Sequence, residues 1–336
     1  MRCFYLLILA ALCSSCYSAK QAYHFTSLYF SKVPVSEAIE NPEIPEKFRN
    51  RLGKLDEILA FARSEKLNVE GAYVDYIHSS SGAVTHLVQA AKKDKLEFKE
   101  WWFPIVGTVP YLGFFEKKDR DEEYERLAEE YDVSRGAVGA FSLLGWLEDP
   151  IFTSMLRSRY SGMAHLFFHE LIHRTFWSAG SVRFNENLAE FAAEIITKRF
   201  LISKGMEKEL EEYLALKRDK LKFKVWLKDL RGDLDKLYST EGLAKDLLFQ
   251  QKREIFERYK TEKVPQFETS RYGFVAKREW NNASVMGASL YAPNYDRFLK
   301  AFKCLDSPKL GVFMNALEEA EDEYDDNFKA LDSLCK

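Results

Sequence analysis

Two histidines four residues apart lie within a strongly apolar segment, and this feature most constrains how the chain can fold. Residues 161–177 contain His169 and His173, and the Met, Leu, Ile and Phe residues around them fall on nearly every side of a helix. Such a segment is typical of a buried helix, which we expect to begin with Ser161 as its N-cap. Four residues turn a helix by about 400°, so both imidazoles project from one face.

The residues around these histidines predict a catalytic zinc site. The His-Glu-x-x-His spacing lets His169 and His173 bind one tetrahedral Zn²⁺, and Glu170 can take a proton from a water beside them. A second helix is predicted from Asn185 to Leu201, and an antiparallel return would bring Glu186 to the ion as the third ligand. We therefore expect one zinc per chain. The alternative is a core helix with incidentally spaced histidines, which would bury polar groups without partners.

Three nearby residues have less direct assignments. Glu190 lies one turn after Glu186 and can accept the second N–H of a ligand histidine, or it is an ordinary surface carboxylate. Asn185 is expected to support the ligands in the same indirect way. His165 lies about 12 Å along the helix from His173, so one ion cannot bind both, and we expect a core or supporting histidine.

Hydrolysis would also need a donor for a developing oxyanion, and three tyrosines are candidates. We select Tyr291 as the catalytic candidate, because it follows the polar pair Asn281-Asn282 in an otherwise helical tail. Tyr160 and Tyr272 are the others. Each tyrosine taken alone is also compatible with a simple packing role.

The N-terminus has the parts of an export signal. One arginine precedes an apolar run from Phe4 to Leu12, which is shorter than the about 20 residues that span a bilayer. We expect residues 1–15 to be a lipoprotein-type signal and Cys16 to become the acylated first residue, although Cys13 stands where such signals usually have leucine. Plain cleavage and secretion is the alternative. The lipoprotein interpretation predicts an envelope protein, anchored in the outer membrane on its periplasmic face.

Cys304 and Cys335 would remain in the exported protein. An oxidising compartment permits a disulfide between them, and two free buried thiols are the alternative. The net charge of −3 and the scattered lysines and arginines argue against nucleic acid as a partner.

The hydropathy pattern predicts one mostly helical α+β domain over residues 16–336. Hydrophobic residues make up 46% of the chain, which is enough for a sizeable core. A helix is expected over 45–66, and strands over 72–145 form a small mixed sheet packed on the active-site helix. The zinc-binding helices occupy 151–201, and further helices cover 206–336.

The chain resembles the bacterial predicted-aminopeptidase family, whose members are usually lipoproteins of the gluzincin type of metallopeptidase. The resemblance extends over nearly the whole mature chain and is carried by these stretches: Cys16 with Gln21-Ala22, Trp102 to Gly107, Pro110 to Phe115, Gly145 to Pro150, Phe168 to His173, Phe184 to Glu186, and Asn281 to Ala283 with Tyr291.

The resemblance implies a gluzincin-like fold, a peptide substrate, export and a lipid anchor. It also implies His169, His173 and Glu186 as zinc ligands and Glu170 as the base. No glycine-rich exopeptidase motif precedes the zinc helix. An endopeptidase with the same site therefore stays an alternative to an aminopeptidase, and so does a non-catalytic envelope lipoprotein with structural zinc. The oligomeric state is left open.

Overall fold

Helices make up most of the protein, as the apolar spacing along the chain predicts. The computed structural model describes residues 17–79, 83–103, 107–139, 149–179, 181–289 and 295–335. Within these residues the α-helices are α1 (17–30), α2 (Val35–Glu40), α3 (Glu46–Leu52), α4 (Leu55–Ser64), α5 (Lys117–Ala128), α6 (Tyr160–Thr175), α7 (Val182–Ser203), α8 (Glu207–Tyr238), α9 (Lys245–Thr261), α10 (Asn282–Ser289), α11 (Tyr295–Cys304), α12 (Leu310–Glu321) and α13 (Asn327–Ser333). Short 3-10 helices cover Thr153–Leu156 and Ser270–Ala276.

The strands are short and form three small sheets. Their bounds are β1 (Val33–Pro34), β2 (Asp75–Ile77), β3 (Thr85–Ala91), β4 (Trp101–Phe103), β5 (Gly107–Val109), β6 (Leu112–Phe114), β7 (Asp132–Val138) and β8 (Ile151–Phe152). The first sheet, β1-β2-β8, is mixed, because β2 pairs antiparallel with β1 and parallel with β8. The second, β6-β3-β7, and the third, β4-β5, are antiparallel. The mostly helical α+β class is confirmed.

The largest core surrounds α6, and the mixed sheet belongs to it. Apolar side chains of α6 such as Phe167 and Leu171 are fully buried, together with Ile77 of β2 and Ile151 of β8. The rings of Phe167 and Tyr73 meet edge-on, with centroids 4.8 Å apart. The mixed sheet therefore packs in the core of the histidine-bearing helix. It differs from the predicted one, because only β2 of its three strands lies within 72–145, and the other strands of that range form the antiparallel sheets.

The larger antiparallel sheet has different neighbours: it packs against α5 and α10. The Asn281-Asn282 pair fixes this contact. Asn281 donates from its amide to the carbonyl of Val133 on β7 (2.8 Å), and Asn282 donates to the carbonyl of Lys92 just after β3 (2.9 Å). These asparagines therefore attach α10 to the sheet.

Two predicted boundaries differ from the structure. The predicted helix over 45–66 is two helices, α3 and α4, separated at Gly53-Lys54. Phe48 of α3 and Leu55 of α4 face the same core, so the apolar period continues across the break. Ser161 is not the N-cap of α6, because the helix begins at Tyr160 and buries Ser161 inside its first turn.

A disulfide joins Cys304 at the end of α11 to Cys335 after α13, 31 residues later. Closing a loop of this length removes conformational freedom from the unfolded chain, worth about 3–4 kcal/mol. We expect the Cys304→Ala, Cys335→Ala double variant to lose this amount of unfolding free energy, measured by urea denaturation. Adding reductant to the wild type should lower its urea midpoint to that of the double variant. The midpoint of the double variant should not change with reductant. An unaltered midpoint in both would show that the bond contributes nothing to stability.

Within the described residues, no helix combines the length and the apolar composition needed to cross a bilayer. The predicted signal at 1–15 and Cys16 lie outside those residues.

Candidate metal centre

The two helices that carry the predicted ligands run antiparallel. His173 of α6 lies beside Glu186 of α7, while His165, two turns earlier, lies beside Glu190, one turn later. The helices are held together by the apolar core that surrounds α6. Because side chains four residues apart share a helix face, each helix presents a polar stripe to the other.

Three side chains on these stripes converge on one point. The Nε2 atoms of His169 and His173 are 3.2 Å apart. The Glu186 Oε2 lies 3.5 Å from the His169 Nε2, and its Oε1 lies 3.5 Å from the His173 Nε2. Two of the side chains are largely buried, with 17% of His169 and 5% of His173 exposed, while Glu186 at 31% faces solvent more openly. The sequence therefore predicted the right three residues to meet.

These separations fit a tetrahedral zinc ion. Metal–ligand bonds of about 2.1 Å in a tetrahedron give edges of about 3.4 Å between ligand atoms. The two imidazole nitrogens are 3.2 Å apart, and each lies 3.5 Å from the nearer oxygen of Glu186, Oε2 for His169 and Oε1 for His173, so these distances are close to that value. Two imidazole nitrogens and one carboxylate oxygen are also typical of zinc, and three protein ligands leave a fourth position for another molecule. Among the described residues, this is the group of side chains spaced to hold a metal.

The charge balance of the three side chains favours a cation. Burial raises the pKa of Glu186, but hydrogen bonds from His169 and His173 outweigh it and lower the pKa to about 2. Burial lowers the pKa of His169, but the hydrogen bond to Glu186 and the charge of Glu170 outweigh it and raise the pKa. A positive charge placed between these groups is therefore stabilised.

Glu170 follows the first ligand and lies in a less polar environment. Burial raises the pKa of its carboxyl above the ordinary value, while the neighbouring His169 and His173 oppose the shift. A carboxylate with a raised pKa is a stronger base at neutral pH than an exposed one, provided that it stays ionised.

Three residues that sequence reasoning missed are connected to one another near the end of α6. Arg174 donates to the buried carboxylate of Asp149 (3.1 Å) and to the carbonyl of Glu70 (2.8 Å). Tyr73 is buried in the left-handed conformation, with φ of 61°, and its N–H donates to the Asp149 carbonyl. These contacts fix the end of α6 to two distant parts of the chain. Two features of the sequence could have indicated this contact: Arg174 directly follows the second histidine, and Asp149 lies in the stretch from Gly145 to Pro150.

Glu190 has a different partner from the predicted one. We expected it to contact a ligand histidine, but its Oε2 lies 3.4 Å from the Nε2 of His165. The other imidazole nitrogen, Nδ1, lies 2.9 Å from the Tyr213 hydroxyl. Because α6 and α7 are antiparallel, the residue one helical turn after Glu186 on α7 lies level with the residue one turn before His169 on α6. His165 is thus a buried, partnered histidine, and burial lowers its pKa to about 4.

Asn185 contacts the connection between α6 and α7. Its side chain donates to the carbonyl of Ser178 (2.8 Å) and accepts from the N–H of the same residue (3.0 Å). It therefore fixes the connection between α6 and α7, rather than the ligand side chains themselves. The contact positions Glu186 indirectly, because the connection sets where α7 begins.

The predicted oxyanion donors fall in three places. Tyr291 lies outside the described residues. Tyr160 starts α6, nine residues before His169 and about 13 Å along the axis, with its ring against Phe200. Tyr272 packs in a second core formed by α8 and α9, where burial raises its pKa and the Glu190 carboxylate adds a smaller contribution.

One of three comparisons with known proteins finds a match. Searches of curated proteins and of solved structures find no match to this chain. The model of the family described as "Putative aminopeptidase" matches residues 16–330. The match covers nearly the whole sequence, including α6, α7 and both ends of the polar stripes. The chain therefore belongs to this family of aminopeptidase-like proteins.

Proposed function

We propose that the protein is a zinc-dependent peptide hydrolase of the gluzincin type and acts as an aminopeptidase. The observation that carries this proposal is the triangle of His169, His173 and Glu186, whose nearest ligand atoms are 3.2–3.5 Å apart, close to the separations around a tetrahedral zinc ion. Glu170 beside it supplies the base that a purely structural zinc site would not need. Membership of an aminopeptidase-like family supports the same class of reaction.

The chain's own residues would perform the proton transfers. Bound zinc would supply Lewis acidity toward the scissile carbonyl and lower the pKa of a water. Glu170 takes the proton of the attacking water and later passes it to the nitrogen of the leaving amine. Burial keeps this carboxyl basic, and the Arg174–Asp149 pair holds the end of α6 in place.

We further propose that the enzyme works at the cell envelope on a lipid anchor at Cys16. The family match begins at this residue, and α1 follows it directly with Tyr23 and Phe30 mostly exposed. The anchor places the protein at the periplasmic face of the outer membrane. Incorporation of labelled palmitate in expressing cells tests the claim: the label should disappear in Cys16→Ala, and its persistence there would contradict acylation at this position.

An aminopeptidase should require a free amine on its substrate. We expect the zinc-loaded protein to cleave tri-alanine at least about 100-fold faster than N-acetyl-tri-alanine. Acetylation removes the charged amine, and leaving the buried group that binds it without a partner lowers the rate by about this factor. Chromatographic detection of released alanine measures both rates. A longer peptide blocked at its N-terminus is the control. Equal cleavage of the free and acetylated peptides would identify an endopeptidase instead.

A further inference from the structure

We propose that three lysines beside the metal centre bind the free C-terminal carboxylate of a short peptide substrate. The lysine row consists of Lys217, Lys220 and Lys224, which share one face of α8 because they are spaced by three and four residues. The inference rests on the proposed peptidase function and names its class of substrate.

The lysine row is next to the metal ligands. Glu190 lies one turn along α7 from Glu186, and its Oε1 accepts from the ammonium groups of Lys217 (3.0 Å) and Lys220 (2.5 Å). On α6, the ring of His165, which contacts Glu190, has its centroid 6.5 Å from that of His169. Both stripes therefore lead from the metal centre to the lysines.

The lysine row carries more positive charge than its surroundings neutralise. Two carboxylates of α7 face it, Glu190 and Glu194, and Lys217 contacts both. Glu194 is already shared with Lys198 of its own helix (2.6 Å) and with the hydroxyl of Tyr295 (3.1 Å). This cluster thus contains four lysines against two carboxylates. A surplus of cations in a partly buried place attracts an anion.

Lys224 is the member of the lysine row to which that anion is assigned. It is half-buried, and no carboxylate among the described residues forms an ion pair with it. Burial and the charge of Lys220 lower its pKa to about 8, although the charges of Glu190 and Glu194 oppose the shift. A half-buried, unpaired ammonium is costly for a folded protein, and a substrate carboxylate would remove that cost.

The spacing suits a short peptide. Glu186 and Glu190 are separated by about 6 Å along α7, and the ammonium groups of Lys217 and Lys220 lie 3.0 and 2.5 Å from the Glu190 carboxylate. An extended peptide advances about 3.3–3.6 Å per residue. A carboxylate on the lysine row therefore lies about two residues after a carbonyl at the metal centre. Tri-alanine, cut after its first residue, has this length.

Binding to a protein that cannot turn over tests the proposal without relying on catalysis. Calorimetry on zinc-loaded Glu170→Gln protein should show tri-alanine binding at least about tenfold more tightly than tri-alanine amide, since only the acid offers a charge-assisted contact. Adding Lys224→Met should reduce the preference to less than about twofold. Lys228→Met, an exposed lysine one turn further along α8, is the matched control and should keep the preference.

The outcomes separate this inference from the proposed function. Equal affinity for acid and amide, or an undiminished preference in Lys224→Met of unchanged thermal stability, would overturn the lysine site. Lys224→Arg should keep the preference, because it keeps the charge. A protein that prefers the acid but hydrolyses no peptide would refute the enzyme and keep the lysine site. One that cleaves acid and amide equally well would refute the lysine site and keep the enzyme.

Discussion

Peptide hydrolysis by the Glu170→Gln variant is expected to fall about 10³-fold while one zinc per chain stays bound. General acid–base catalysis contributes typically about 10²–10⁴-fold, and a glutamine of nearly the same shape cannot accept the proton. Glu170 is not among the three side chains spaced to hold the metal, so the ligand set is intact in this variant. Initial rates on tri-alanine together with elemental analysis for zinc measure both quantities.

Glu207→Gln is a suitable control for this experiment. Glu207 is an exposed glutamate at the start of α8, so the same chemical change there should leave the rate and the zinc content unaltered. A fall in kcat without a matching rise in KM would place the effect in the chemical step. Should the Glu170→Gln variant retain wild-type activity with its zinc in place, Glu170 would not be the base and the proposed mechanism would be wrong.

Removal of a ligand should have the second large effect, on metal binding itself. Changing residues that only orient zinc ligands costs about 10–100-fold in affinity, so loss of His173 should cost more than about 100-fold. We expect His173→Ala to contain less than about 0.1 zinc per chain after dialysis, against one in the wild type. Because His173 is 5% exposed, few outside groups could replace it.

His165→Asn is the matched control on the same helix. His165 continues the stripe of histidines but contacts Glu190 and Tyr213, so its loss should leave one zinc per chain. A chelator should abolish wild-type activity, and added zinc should restore it. Full zinc occupancy in His173→Ala, or an equal loss in both variants, would show that the triangle does not bind the metal as we propose.

The sequence was most informative where several properties coincide on one short segment. The His169-Glu170-x-x-His173 spacing, its apolar surroundings and the following Asn185-Glu186 predicted both helices of the site and all three converging side chains. Local periodicity carries this information, because four-residue spacing alone places groups on one face of a helix. The same reasoning placed the C-terminal helices. It wrongly joined α3 to α4, because both helices bury apolar residues in one core and the spacing of those residues does not reveal where the backbone hydrogen bonds stop.

The partners of polar residues beyond the triangle depend on helix pairing, which the sequence does not display. The sequence analysis assigned Glu190 and His165 separate roles. Only the antiparallel arrangement of α6 and α7 places these two side chains in contact. The contact between Arg174 and Asp149 joins residues 25 positions apart. Lys217 and Lys220 are 27 and 30 positions from the Glu190 that they contact. Such pairs are set by packing over long distances in the chain.

By itself, the amino-acid order determined the helical class, the three side chains that converge and the position of the glutamate that we propose as the base, because these depend on residue type and on spacing within single helices. Only the tertiary structure decided what surrounds the triad: the polar cluster on Glu190, the Arg174–Asp149 contact and the unpaired Lys224. The physical reason is that burial and charge at a point in space are summed over every element that packs there, and α6, α7 and α8 meet only in the folded protein.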